Sequence, residues 1–279
     1  MAIGVFDSGV GGLTVLRALR RELPGRDFIY LGDTARLPYG TKSAASVVRY
    51  AEQAADALVA RGLSCLVIAC NTASAVALDA LRRRYAPLPV VGVIEPGAAA
   101  AVAASRSGRI AVIATEGTVN AGAYDAAIRR LRPDARVLSA ACALFVALAE
   151  EGWTEGEIVD LTIRRYLEPL LQAAAPPDVL LLGCTHFPVL APAIRQAISQ
   201  AKSQAMGEAM DQGLAIVDSA ATTASVVRNE LRDATAAAGS QGSMRLLATD
   251  GVARFARVGS SFLGEAIAAD AVELVDLGR

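Results

Sequence analysis

The chain has 279 residues, 53% of them hydrophobic and 5% aromatic, with a formal net charge of −1. That length allows one large domain or two of ordinary size, and near-neutrality without a long basic stripe argues against a nucleic-acid partner. No secretory leader opens the chain, no apolar run approaches the ~20 residues of a membrane span, and Cys65, Cys70, Cys142 and Cys184 lack C-x-x-C spacing, so a cytoplasmic protein with reduced thiols and no membrane partner is expected.

Taken in chain order, Ile3–Phe6 reads as a short strand followed by a Gly-rich turn. Leu13, Leu16, Leu19 and Leu23 then recur at helical steps. Asp27–Leu31 reads as a second strand, and Ser43–Arg61 as a helix with Ser43 as N-cap and Gly62 as its stop. Leu66–Ala69 reads as a buried strand, Ala73–Tyr85 as a helix and Val90–Ile94 as a strand. The alternation restarts with a strand at Arg109–Ala114, a helix at Asn120–Leu131 and a strand at Ala135–Leu138. Glu155–Ala174 is expected as a long helix, Val179–Leu182 as a strand and Pro192–Gln204 as a helix. Ala201–Gly213 reads as an exposed elaboration, Ala215–Asp218 as a strand, Thr222–Leu231 as a helix and Ala234–Gly242 as a small-residue loop. Arg245–Thr249 and Ala271–Val275 are late strands.

Strands alternating with helices argue for mostly parallel sheets covered on both faces. A faint internal repeat goes further. Ile3–Ser8 parallels Ile110–Thr115 at an offset of 107 residues, and Cys70 parallels Cys184 at an offset of 114. The expected class is therefore α/β with two pseudo-symmetric lobes, each a mostly parallel sheet flanked by helices. Residues 1–96 plus 215–279 would form the first lobe and 97–214 the second. Ligands of open α/β sheets bind beyond the carboxyl ends of the strands, which points Asp7, Cys70 and Cys184 into one crevice between the lobes.

The turn Asp7-Ser8-Gly9-Val10-Gly11-Gly12 lacks the third glycine of a dinucleotide fingerprint and the lysine of a phosphate loop. It suits a carboxylate or phosphate cradle of backbone N–H groups. In the polar loop Gly32–Gly40, Tyr39 and the Gly40 amide are candidate substrate contacts. Cys70-Asn71-Thr72 and Cys184-Thr185-His186 each end an apolar strand ahead of an expected helix. A helix start can pull a thiol toward neutrality and fit it for proton transfer. His186 is the sole histidine and lies two residues from Cys184, where an acid–base partner belongs. Zinc on Cys70, Cys184, His186 and Asp7 is an alternative, opposed by the lack of chelating spacing; no metal is expected. Cys65 and Cys142 read as core residues, and Glu150-Glu151-Gly152 as a charged helix end.

Together these stretches resemble the glutamate racemases of the aspartate/glutamate racemase superfamily. The matching segments are Val5–Leu13, Gly32–Arg36 with Pro38–Lys42, Ala69–Ser74, Gly92–Gly97, Ala114–Thr118, Leu182–His186 and Val217–Ser219. The resemblance implies an isomerase without a cofactor that interconverts L- and D-glutamate for peptidoglycan synthesis, with a small-molecule substrate and room for a homodimer. It implies Cys70 and Cys184 as catalytic thiols, assisted by Asp7, His186 and Glu150. It also implies substrate contacts from Asp7, Ser8, Tyr39, Gly40, Asn71, Thr72, Thr115, Thr118, Thr185 and His186. One departure stands out: Ala143 and Ala147 replace prolines usual in the family, which leaves Glu150 and Glu151 as competing candidates for the assisting carboxylate.

Overall fold

The computed structural model describes residues 1–204, 213–231 and 242–278. Strands β1 (Ala2–Asp7), β2 (Phe28–Gly32), β3 (Leu63–Ile68) and β4 (Val90–Gly92) alternate with helices α1 (Leu13–Glu22), α2 (Ala44–Val59) and α3 (Asn71–Tyr85). Helix α4 (Ile94–Ala104) leads to β5 (Arg109–Ala114), α5 (Glu116–Asn120), α6 (Ala123–Leu131) and β6 (Arg136–Ala141). Then come α7 (Ala143–Glu150), α8 (Glu157–Leu171), β7 (Val179–Gly183), α9 (Ala191–Gln204) and β8 (Ala215–Asp218). Helix α10 (Ser219–Glu230), β9 (Met244–Ala248), α11 (Val252–Leu263) and β10 (Val272–Leu274) complete the described elements.

Two parallel sheets result, ordered β10-β9-β2-β1-β3-β4 and β6-β5-β7-β8. Within the first, β2-β1-β3-β4 has the same order as the whole of the second, so the repeat seen in the sequence is a repeat of strand order. Both faces of each sheet are covered, as side-chain alternation along a strand requires. In the first sheet Ile3, Val5, Tyr30 and Val67 pack with residues of α1, α10 and α11. Phe6, Leu31, Leu66 and Ile68 face the opposite way, toward α2 and α3. In the second, Ala111, Ile113, Leu180 and Leu182 pack with α7, α8 and α9, and Ile110, Val112, Val179 and Leu181 with α4 and α6.

Local signals fix several boundaries. Ser43 caps α2, accepting from Ser46 N–H at 3.3 Å, and Gly62 follows the helix at φ +78°. Strand β4 stops at Gly92 rather than Ile94, because Pro96 is tolerated in the first turn of α4. The helix expected over Asn120–Leu131 is broken by Gly122 at φ +64°. Strand β8 pairs with β7, so residues 215–218 belong to the second sheet. Ile216 and Val217 sit beside β7, whereas Ala220, Ala224 and Val227 of α10 are buried against the first lobe. Most of the expected elaboration at 201–213 and loop at 234–242 lies outside the described residues. Among the described residues no helix is long and apolar enough to cross a membrane.

Candidate active site

Strand ends build the site. Asp7 closes β1, Cys70 stands two residues beyond β3, Thr115 follows β5 and Cys184 follows β7. A cavity of about 320 Å³ lies among these ends. Ser8, Tyr39, Gly40, Cys70, Asn71, Thr72, Thr115, Cys184, Thr185, His186 and Glu150 all line it. Both thiols therefore open on one space from equivalent strand ends of different sheets. Of the remaining expected residues, Thr118 joins a hydroxyl cluster in the wall, and Asp7 is buried beneath the turn that follows it.

On the Cys70 side, Sγ caps α3 by accepting from Ala73 N–H at 3.4 Å, and the thiol donates to Ser8 Oγ at 3.5 Å. A helix start would be expected to depress the thiol's pKa. Burial, reinforced by the Asp7 charge, instead pushes it up to about 12 against the pull of the Ala73 amide and Ser8. Burial also lifts the Asp7 carboxyl above the usual carboxylate range, outweighing the nearby His186 charge and the amides of Gly9, Gly12 and Ser8. Gly9 N–H reaches Asp7 Oδ2 at 2.9 Å. The glycine turn thus directs its amides at its own aspartate.

The Cys184 side is a chain of contacts. Cys184 Sγ lies 3.8 Å from His186 Nδ1, and His186 Nε2 lies 3.1 Å from Glu150 Oε1. Glu150 Oε2 accepts from Arg254 Nη2 at 2.8 Å. Burial alone would lower the His186 pKa, but hydrogen bonds to Cys184 and Glu150 and the charges around it raise it to about 10. The Glu150 carboxyl is lowered, because His186 and Arg254 overcome its own desolvation. Between the two adjacent carboxylates the geometry is plain. Glu150 is largely buried and meets His186, whereas Glu151 is exposed and lies 3.9 Å from Arg254. The His186 and Phe262 rings meet nearly at right angles at a centroid distance of 5.2 Å. Cys184 is followed by a short turn and a 3₁₀ segment at Phe187–Leu190, not directly by an α-helix.

The cavity wall joins the two lobes. Thr72, Thr115 and Thr118 hydroxyls form a triangle with edges of 3.0, 3.1 and 3.0 Å. A Cβ at Gly40 would stand 2.8 Å from Thr115 Cβ, so glycine permits the approach of the two loops. Asn71 Nδ2 donates to Tyr124 OH at 2.8 Å, while its buried Oδ1 has no partner among the described residues. Tyr39 was expected to offer substrate contact. Its hydroxyl is instead committed to Asp33 Oδ2 at 2.5 Å, leaving its ring and the adjoining backbone to face the cavity.

Asp33 is the organiser that residue-by-residue reading passed over. Fully buried, it accepts from Tyr39, from Arg36 Nε at 2.7 Å and from Thr249 Oγ1 at 2.9 Å, and so holds the loop lining the cavity. Its position directly after a wholly apolar strand was the available signal. Arg254 and Phe262 were also missed. The spacing of Phe255, Val258 and Phe262 is helical and would have revealed α11. Ala143, Val146 and Ala147 of α7 supply an apolar wall. Cys65 and Cys142 are buried and free. Among the described residues no group of three or more His, Cys, Asp or Glu side chains is placed to hold a metal ion.

Residues 3–227 match the model of the Asp/Glu/Hydantoin racemase family. Glutamate racemase from Geobacter metallireducens is 49% identical over 265 residues, covering 94% of this chain and 93% of that protein. Among solved structures, glutamate racemase from Francisella tularensis in complex with D-glutamate superposes with a TM-score of 0.87 at 33% identity, covering 99% of this chain and 97% of the other. The RacE1 isoform of glutamate racemase from Bacillus anthracis superposes with a TM-score of 0.88 at 35% identity over the same shares. The chain belongs to the Asp/Glu/Hydantoin racemase family of isomerases, with glutamate racemases among its relatives.

Proposed function

We propose that this chain interconverts L- and D-glutamate without a cofactor, by two-base proton transfer between Cys70 and Cys184, and that it supplies D-glutamate for peptidoglycan. One observation carries the reading: two thiols from equivalent strand ends on different sheets line a single cavity. The glutamate racemase that is 49% identical to this chain supports the substrate class.

One thiolate removes the α-hydrogen, breaking C–H and forming S–H. The opposite thiol then gives its proton to the other face of the carbanion. Cys184 serves L-glutamate and Cys70 serves D-glutamate. His186, held by Glu150, relays protons at Cys184, and Asp7 does so at Cys70. Burial disfavours the Cys70 thiolate, and a cation arriving with the substrate would favour it. An α-ammonium group entering the cavity supplies a cation near the thiols. Asn71 Oδ1, a buried acceptor on the cavity lining without a partner among the described residues, suits that ammonium. Hydroxyls of Ser8, Thr72, Thr115, Thr118 and Thr185 and the backbone beside Tyr39 and Gly40 are available to the carboxylates. Donors aimed in this way stabilise the carbanion where water is excluded.

The test is racemisation in D₂O with purified protein and no added cofactor. Early product should carry α-deuterium while recovered substrate stays protonated, from either enantiomer. Rapid deuterium entry into recovered substrate would point to one exchanging base and refute the two-thiol scheme. C70A and C184A should each nearly abolish turnover. Faster turnover of aspartate or a hydantoin than of glutamate would overturn the substrate assignment.

A further inference from the structure

We propose that Arg254 is the positioning residue for the Cys184 half of the reaction, holding the Glu150 carboxylate against His186 so that the imidazole stays on the thiol. The proposal rests on the two-thiol reading above. Arg254 is far from Glu150 in sequence and belongs to α11, which packs in the first lobe, whereas Glu150 ends α7 in the second. The two Glu150 oxygens are divided between two partners: Oε1 meets His186 Nε2 at 3.1 Å, and Oε2 meets Arg254 Nη2 at 2.8 Å. A carboxylate bound at both oxygens cannot rotate, and its orientation fixes the imidazole plane.

An exposed ion pair by itself contributes little, and the Arg254 side chain is 50% exposed. What distinguishes this pair is the other partner. Glu150 is only 15% exposed and connects directly to a buried histidine. The charged and titratable groups around the assembly are few. Glu150 faces His186 and Arg254, Arg254 also approaches Glu151 at 3.9 Å, and His186 faces Cys184, with the Asp7 charge nearby. Phe262, also on α11, meets the imidazole nearly at right angles with ring centroids 5.2 Å apart. A single helix of the first lobe thus contacts both the carboxylate and the ring that serve the thiol of the second.

The experiment compares wild type with R254Q, R254K and the E150Q background. R254Q should lower kcat/KM about ten-fold, the scale of a charge-assisted hydrogen bond discounted for exposure. The equilibrium constant between enantiomers is unity, so kcat/KM must fall equally in both directions. Isotope effects separate the two halves. With α-deuterated substrate of the enantiomer facing Cys184, the effect on kcat/KM should rise in R254Q. With the other enantiomer it should fall toward unity, because the step at Cys70 no longer limits. R254K should regain most of the rate, and R254Q should cost nothing further in E150Q. Equal isotope effects unchanged from wild type, or a full additional loss in E150Q, would overturn the proposal while leaving racemisation by two thiols intact. A wild-type protein that leaves glutamate unracemised would overturn the underlying reading and the proposal with it.

Discussion

Replacing Gly11 by alanine should remove activity while leaving the fold in place. The Gly11 backbone is outside the left-handed region, so alanine fits the chain itself. Space is the difficulty. A Cβ there would stand 2.3 Å from Thr185 Oγ1, 2.5 Å from His186 Nδ1 and 2.6 Å from His186 Cε1. Ordinary contact between heavy atoms lies near ~3.5 Å, so threonine and imidazole must retreat by about 1 Å. His186 Nδ1 is already 3.8 Å from Cys184 Sγ, and a misplacement of about 1 Å costs on the order of 100-fold in rate. Overpacking of this kind destabilises by about 1–3 kcal/mol, which a domain of ordinary stability survives. The assay is kcat/KM for both enantiomers, followed by circular dichroism, with urea unfolding in parallel. G9A is the control, since its Cβ would meet only the flexible Leu37 side chain at 3.3 Å. Its rate should stay within about three-fold of wild type. A G11A enzyme within the same margin would show that the approach of the glycine turn to His186 does not constrain the chemistry.

The raised His186 pKa predicts a pH-dependent contribution to stability. The contribution is fully present below the unfolded value of 6.5 and is lost as pH rises through the folded value of about 10. The melting temperature of wild type relative to H186Q should therefore drop across that window, and a constant difference would contradict a charged native imidazole. Asp33 gives a prediction about the loop. D33N removes the buried charge that pairs with Arg36 and turns one of the two acceptor oxygens into a donor, and should destabilise by about 3 kcal/mol in urea unfolding while raising KM. A loss below about 1 kcal/mol would mean that the loop is held by its other contacts.

Much of the site was legible because strand ends are legible. Apolar runs at Leu66–Ala69 and Val179–Leu182 mark buried strands, and polar residues immediately after them are bound to sit at a carboxyl edge. That logic reaches Cys70 and Cys184, and His186 follows from its proximity to one of them. Other features depend on partners remote in sequence. Nothing near Arg254 reveals Glu150 opposite, and nothing near Asp33 reveals that Thr249 donates to it. The Cys70 environment also ran against the local signal. A helix start lowers a thiol's pKa only if burial does not outweigh it, and the depth of burial is a property of the assembled core. Strand β8 shows the same limit, since pairing partners, not the strand's own residues, decide which sheet receives it.

The shared strand order of the two sheets bears on handedness. A planar carbanion presents two faces related by reflection, and a chain of L-residues cannot build the mirror image of a loop. Repetition offers the nearest substitute: one motif, used twice with different orientation, can bring like groups to unlike faces. Such symmetry is only approximate, so under the proposed two-thiol scheme the two approaches to the carbanion need not be energetically alike. Their surroundings have diverged accordingly, with an imidazole–carboxylate pair at one thiol and a hydroxyl beside an aspartate at the other. The equality of the two directions that equilibrium demands is then met by the overall energy profile rather than by any symmetry of the walls.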